Sequence, residues 1–193
     1  MSGALLTPTH AHAASAASPW LQRWAHLLPP GARVLDVACG GGRHLAYLSE
    51  RGCVVTGVDR DGTALALAAE RAPSASLTQA DIEHGPWPWP GRQFDAVVIT
   101  NYLWRPLIPT LRASVALGGV LIWETFAHGN ETVGKPSRPD FLLAPGELLR
   151  VAEGWRVIAF EDGFVPEPAR FVQRIVAVNQ AAEPSAPPRY PLT

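Results

Sequence analysis

The stretch Val34-Leu35-Asp36-Val37-Ala38-Cys39-Gly40-Gly41-Gly42 constrains the fold more than any other part of the chain. A short apolar run ending in glycines suits a buried parallel strand that enters a tight turn. Glycine serves in such a turn because the backbone bends sharply and a ligand can approach without meeting a Cβ. Leu45–Glu50 then continues as a helix that stops near Gly52. The unit reads strand, turn, helix.

The alternation continues downstream. Cys53–Val58 predicts a second strand, and Asp61 caps a helix that runs through Arg71 and stops before Pro73. Ser76–Ala80 is a weaker third strand. Phe94–Thr100 is the strongest, because Asp95-Ala96-Val97-Val98-Ile99 is apolar and rich in β-branched residues. Pro106–Ala116 reads as a helix with prolines in its first turn, and Gly118-Gly119 leads into a strand at Val120–Thr125. After a loop over Ala127–Asp140, a short helix is expected at Pro145–Ala152 and strands at Trp155–Phe160 and Phe171–Val178. Two strands with so little between them imply an antiparallel hairpin at the sheet edge. The whole pattern predicts an α/β fold, a Rossmann-like doubly wound and mostly parallel sheet of about seven strands with an antiparallel last strand.

Upstream, Ser18-Pro19 offers an N-cap followed by proline at the first helical position. Trp20, Leu21, Trp24, Leu27 and Leu28 share one face, and Pro29-Pro30-Gly31 ends the helix. Such a helix packs on the domain or forms a flap over a ligand, and the two are compatible. The expected organisation is a mobile tail over residues 1–17, one domain over 18–180 and a Pro-rich tail over 181–193.

Composition narrows the partners. With 193 residues, 47% hydrophobic and 17% charged, the chain describes one globular domain. A net charge of −1 supplies no field that would draw nucleic acid or an anionic membrane, so neither partner is expected, and a small molecule is the default. Cys39 and Cys53 make no disulfide framework, and the six histidines lack metal-ligand spacing, so no metal is expected. The N-terminus has no basic n-region, and no apolar run nears the roughly 18 residues of a membrane span. A soluble cytoplasmic protein is the expectation. The oligomeric state stays open.

Two further acids give the glycine turn its meaning. Asp59 ends the second strand, where a carboxylate can accept from both hydroxyls of a ribose. Asp81 follows the third strand, where it could take an adenine amino group. A nicotinamide-binding turn needs a third small residue three places after its second glycine, and that position is Leu45. Asp36 beside the turn would repel a pyrophosphate but suits a ligand carrying an ammonium and a sulfonium. No Gly-Lys-Ser/Thr follows, which excludes a P-loop. The residues favour a cationic nucleoside cofactor.

Asp36–Gly42 resembles motif I of the class I S-adenosylmethionine-dependent methyltransferases, with Asp59 and Asp81-Ile82 at the expected later positions. Phe94–Asn101 is similar to the fourth-strand motif of that family and Leu117-Gly118-Gly119-Val120-Leu121 to the entry to strand five. The resemblance covers roughly Pro30 to Asn179. Within the class, Gly40-Gly41-Gly42-Arg43 and Arg51–Asp59 look most like the tellurite-resistance methyltransferase group, as does the tail with Phe141-Leu142-Leu143, Gly146-Glu147-Leu148, Trp155 and Glu161.

The resemblance implies S-adenosyl-L-methionine as cofactor, contacted by Asp36, Ala38, Cys39, Gly40, Gly42, Asp59, Arg60, Asp81, Ile82 and Asn101. Asp36 and the glycine loop would hold the methionyl part, Asp59 the ribose, and Asp81 with Ile82 the adenine. Thr100–Tyr102 would wall off the acceptor.

Methyl transfer from a sulfonium asks mainly for alignment and exclusion of water, and a base only where the nucleophile arrives protonated. No His or Cys follows strand four, so no catalytic residue is assigned. Acceptor-facing candidates are Asn101, Tyr102, Arg105 and Glu124, together with Trp104, Trp123 and Phe126. Arg105 either binds an anionic group or pairs with a carboxylate. Glu124 is a base or ligand, or a charge at a strand end. Trp87 and Trp89 in Pro86–Pro90 stack near adenine or plug the sheet edge, and the loop 128–140 is a lid or a surface insertion. The Asn/Asp-Pro-Pro-Tyr/Phe pattern of base amino methylases is missing.

Overall fold

The computed structural model describes residues 16–180 and 188–192. Of the expected tails over 1–17 and 181–193, residues 1–15, 181–187 and 193 lie outside the described residues. Ala17 is buried, and at the other end Tyr190 packs on the core while the Pro191 carbonyl meets His26 Nε2 at 3.1 Å.

Seven strands build one sheet in the order β3-β2-β1-β4-β5-β7-β6. They are β1 (Arg33–Val37), β2 (Val54–Asp59), β3 (Ser76–Gln79), β4 (Phe94–Thr100), β5 (Val115–Phe126), β6 (Arg156–Pro166) and β7 (Ala169–Val178). All neighbours from β3 to β5 run parallel, and β7 pairs antiparallel with both β5 and β6. The sheet is the doubly wound one that the alternation predicts, with its hairpin at the edge.

Helices α1 (Pro19–Trp24), α2 (Arg43–Glu50) and α3 (Gly62–Arg71) cover one face, and α4 (Ile108–Ala113) and α5 (Glu147–Val151) contribute to the other. The central strands are apolar throughout because both faces are buried. On β1, Val34 joins the core under α1–α3 while Leu35 and Val37 join the opposite one; on β4, Ala96 and Val98 divide from Val97 and Ile99 in the same way. The N-cap at Ser18 forms as its sequence implies, its hydroxyl accepting from the Trp20 amide at 3.1 Å. Asp61 caps α3 by accepting from Thr63 and Ala64.

Three boundaries differ from the sequence reading. The helix expected over Pro106–Ala116 is a 3-10 turn at Arg105–Leu107 followed by α4, which ends at Ala113. Ser114 closes it by donating to Thr110 O from both its amide and its hydroxyl, and its own carbonyl accepts from Phe94, so the chain enters β5 at once. β5 thus begins before Gly118-Gly119, with a register shift opposite Phe94–Ala96. β6 and β7 pair continuously out to Pro166↔Ala169, so the hairpin is longer than apolar content alone suggests. Its distal half is exposed on β6, and exposed strand leaves no hydrophobic signal. Trp87 and Trp89 form an edge-on pair 5.5 Å apart, and Trp89 meets Phe94 at 5.9 Å. They plug the core on the α4 face.

The glycine turn is held against α3. Gly42 has φ +76°, and a Cβ there would sit 2.8 Å from Ala68 Cα and Cβ. Gly42 is needed for that close packing and for its left-handed backbone. We expect Gly42→Ala to destabilise the fold by about 1–3 kcal/mol through overpacking alone, read as a lower midpoint in urea; an unchanged midpoint would mean that the turn does not seat on α3.

Candidate functional site

Strand order reverses between β1 and β4, and the carboxyl ends of those strands open into a cleft. Two hollows fill it. One, of about 280 Å³, is lined by Ala38, Asp59, Arg60, Ala80, Asp81, Ile82, Glu83, Asn101, Tyr102, Leu103 and Phe141. The other, of about 380 Å³, is lined by Ala38, Cys39, Gly40, Gly41, Arg43, His44, Arg71, Thr100 and Asn101. They share Ala38 and Asn101, so they form one trough across the ends of β1, β2 and β4.

Those two shared residues carry the only positive φ angles outside glycine among the described residues, 54° at Ala38 and 55° at Asn101. Left-handed backbone at a non-glycine residue costs on the order of 1–2 kcal/mol and persists where surroundings enforce it, often at ligand sites. Here the Asn101 amide is tied to Glu124 O at 2.9 Å, and Cys39 N to Val58 O at 2.9 Å. Both strand ends therefore turn away from the sheet on either side of the trough.

Asp59 organises the first hollow. Its Oδ2 accepts from the Gly40 amide at 2.8 Å and its Oδ1 from the Asp61 amide at 2.9 Å. The glycine turn is pinned to the end of β2 by this carboxylate. Asp81 lies across the same hollow; the amides of Glu83 and His84, with the His84 ring, hold its carboxyl below the usual range. The Tyr102 hydroxyl is buried without a partner, and burial pushes its pKa up.

Asp36 lies beneath the second hollow, fully buried, with neither carboxylate oxygen hydrogen-bonded. Its Oδ2 is 3.7 Å from His44 Nδ1, which also shares a 3.0 Å hydrogen bond with Thr100 Oγ1. His44 Nε2 is buried and unpartnered. Burial, with the charges of Asp36 and Asp59, pushes the Cys39 thiol up and keeps it neutral. Its sulfur fills the space beside Gly57, where a Cβ would meet it at 2.8 Å.

Of the expected cofactor contacts, Ala38, Asp59, Arg60, Asp81, Ile82 and Asn101 line the first hollow, and Cys39 and Gly40 the second. Asp36 sits below, and Gly42 faces α3. Histidine spacing did not single out His44. Its signal is position: it follows the glycine turn directly, in the first turn of α2, where side chains point back towards the helix start.

The acceptor-side candidates divide. Asn101 and Tyr102 line the trough. Arg105 pairs with a carboxylate: its Nε and Nη2 bind Glu147 at 2.8 and 2.9 Å, while Nη1 and Nη2 donate to the carbonyls of Asp140 and Leu142. Glu124 accepts from Ser18 Oγ at 2.8 Å and pairs with Arg174, which also binds Glu161 at 3.2 Å. Trp123 is buried and donates to Tyr102 O, and Trp104 packs near His84. Among the described residues no group of three or more His, Cys, Asp or Glu is placed to hold a metal, and no helix is long and apolar enough to cross a membrane.

Residues 34–116 match the family described as "Methyltransferase domain". The match runs from β1 to the start of β5, the part of the chain that holds the glycine turn and most of the trough's lining. This domain's sequence relatives include a trans-aconitate 2-methyltransferase from Delftia acidovorans, 36% identical over 132 residues, covering 61% of this chain and 48% of the relative. A second, from Paracidovorax citrulli, is 39% identical over 102 residues, covering 49% and 38%. The matched stretches thus span less than half the length of these relatives. The fold is shared with TehB from Haemophilus influenzae, with a TM-score of 0.67, 22% identity and coverage of 80% of this chain and 59% of that one.

The Arg105–Glu147 pair ties the loop after β5 to the domain and generates a pH prediction. Burial alone would raise the Glu147 carboxyl, but Arg105 and the Ala144 amide outweigh it and hold it low. A depressed folded-state value contributes stability above the unfolded carboxylate range, and that stability is lost as pH falls through the depressed value. Glu147→Gln is expected to lower Tm at pH 7 by roughly 2–5 °C. The gap to the parent should close as pH drops below about 4. A gap independent of pH would remove the charge from this explanation.

Proposed function

We propose that this chain is a cytoplasmic S-adenosyl-L-methionine-dependent methyltransferase acting on a small molecule, with residues 18–180 as its catalytic unit. The observation that carries the reading is the trough that brings Asp59, Asp81 and the glycine turn onto one surface, with Asp36 buried nearby beside His44. Acids at the ends of β1, β2 and β3 beside a glycine turn suit a cofactor that carries ribose hydroxyls, an adenine and positive charge.

The adenosine half then occupies the first hollow. Asp59 keeps lone pairs for ribose hydroxyls while holding Gly40, Arg60 flanks it, and Asp81 with Ile82 borders the adenine. Ala38, Cys39 and Gly40 present backbone to the methionyl half in the second hollow. When bound, that cofactor would supply an activated methyl on a sulfonium. Asn101 and Tyr102, at the end of β4, set the wall along which the acceptor approaches, and Phe141 helps exclude water.

For the acceptor, the trans-aconitate 2-methyltransferase relatives support a small organic acid. A carboxylate is already ionised at neutral pH and needs no general base, in keeping with the commitment of Arg105 and Glu124 to ion pairs. The resemblance to the tellurite-resistance group, joined by the shared fold with TehB, keeps chalcogen oxyanions in the panel to be tested.

Calorimetry with S-adenosylmethionine, S-adenosylhomocysteine and NAD tests the cofactor, and binding of NAD alone would overturn the reading. Asp59→Ala should weaken S-adenosylhomocysteine binding by about 1–3 kcal/mol, the range for hydrogen bonds to a charged group. A methyl-transfer screen over organic acids, thiols, phenols, amines and chalcogen oxyanions then identifies the acceptor, with organic acids expected to lead.

A further inference from the structure

Among the described residues that line the first hollow, Phe141 alone comes from beyond β5, and it is a large apolar side chain left 38% exposed. It ends the 3-10 turn Pro139–Phe141, where its amide donates to Arg138 O and the Leu142 amide to Pro139 O, both at 3.0 Å. Beyond it Leu142 and Leu143 are buried. Leu143 N donates to Phe126 O at the end of β5, and Leu143 O accepts from His128 N. Arg105 brackets Phe141 from the opposite side. Its Nη1 donates to the carbonyl just before Phe141, Asp140 O at 2.9 Å, and its Nη2 to the carbonyl just after, Leu142 O at 2.8 Å. Glu147 faces the same guanidinium with both oxygens and also accepts from the Ala144 amide at 2.8 Å. One planar fork thus joins the segment after β4 to both flanks of Phe141, a geometry that the point charge of a lysine does not reproduce. Arg138 lies over the ring, its guanidinium carbon 5.3 Å from the centroid, and binds Asp140 at 2.9 Å.

Packing alone does not call for this clamp, because Leu142 and Leu143 already anchor the chain on the C-terminal side of an exposed ring. We propose that Phe141 closes the first hollow over a bound nucleoside and that Arg105 is the positioning residue that holds it there. The proposal rests on the methyltransferase reading, which puts the adenosine half in this hollow, and deepens it by naming the element that shuts it. Ile82, Tyr102 and Leu103 line the same hollow, so the ring completes an apolar slot suited to a flat heteroaromatic group. Fixing the ring before the ligand arrives removes the cost of ordering a loose loop on binding. Arg105 itself touches neither cofactor nor acceptor. It acts through Phe141.

A double-mutant cycle tests this, with S-adenosylhomocysteine affinity measured by calorimetry for the parent, Phe141→Ala, Arg105→Lys and the double variant. Arg105→Lys keeps a cation for Glu147 but cannot bridge the two carbonyls, so a role in charge pairing alone is rescued by lysine and a positioning role is not. Phe141→Ala is expected to weaken binding about 5- to 20-fold, the order of a lost aromatic contact with its buried area. Arg105→Lys should cost about 3- to 10-fold in the parent and less than about 2-fold once Phe141 is Ala, because coupled residues are not additive. Hydrogen exchange gives a second readout: the amides of residues 139–144 should exchange faster in Arg105→Lys while those of the central strands stay as in the parent. Additive losses would overturn the proposal, and so would full affinity in Phe141→Ala, or parent-like affinity and exchange in Arg105→Lys. A parent that binds no S-adenosylhomocysteine would overturn the methyltransferase reading and this proposal with it, whereas the other failures strike the proposal alone.

Discussion

The hydrogen bond from the Gly40 amide to Asp59 is the joint on which this structure turns. It closes the gap between β1 and β2 at their carboxyl ends, 2.8 Å long, with the same carboxylate also holding the Asp61 amide that starts α3. Gly42 can then lie flat on Ala68 of that helix, and Arg71 of the same helix reaches back to Gly41. Turn, strand end and helix are thereby one rigid piece. A ligand laid across it meets preformed backbone, which lowers the ordering cost of binding.

Such a joint leaves marks in a sequence, and this explains what could be read there. The glycines, the acid at the end of β2 and the Asp61 cap each solve a local backbone problem with few residue types available. The central strands were legible because burial on both faces forces unbroken apolar runs. The end of α4, the length of β5 and the outer half of the β6–β7 hairpin were not. There the structure is set by pairing between distant segments, Phe94 with Ser114 and Pro166 with Ala169, and exposed strand carries no periodic signal. His44 escaped for the same reason: it lies on α2 and its partners Asp36 and Thr100 on two strands, so no spacing along the chain announces the cluster.

The face of the sheet under α1–α3 carries polar groups along its carboxyl edge in an order that separates two tasks. Asp36 and Thr100 lie at the ends of β1 and β4 with His44 of α2 beside them, and Asp36 and His44 keep unsatisfied atoms. One strand further on, Glu124 accepts from Ser18 at the start of α1 and pairs with Arg174, which is joined in turn to Glu161. Removing one member of such a buried pair leaves the other charge stranded, typically at a cost of about 3–5 kcal/mol, so this second group reads as a lock on α1. The helix expected as either packing or a flap is thus fixed to the sheet by charge as well as by Trp20, Leu21 and Trp24.

That separation bears on the chemistry the cleft can support. With Glu124 spent on α1 and Arg105 spent on Glu147, neither strong charge near the ends of β4 and β5 is free to draw a proton from an incoming nucleophile or to neutralise an anion. In the proposed reading, the side chain of Asn101, the ring of Tyr102 and the apolar surface of Phe141 face the acceptor as a wall that orients it. Selectivity on such a wall comes from shape and from the loop that Arg105 holds down. In that reading reactivity comes with the nucleophile itself, which favours acceptors that are anionic at neutral pH over protonated amines and phenols.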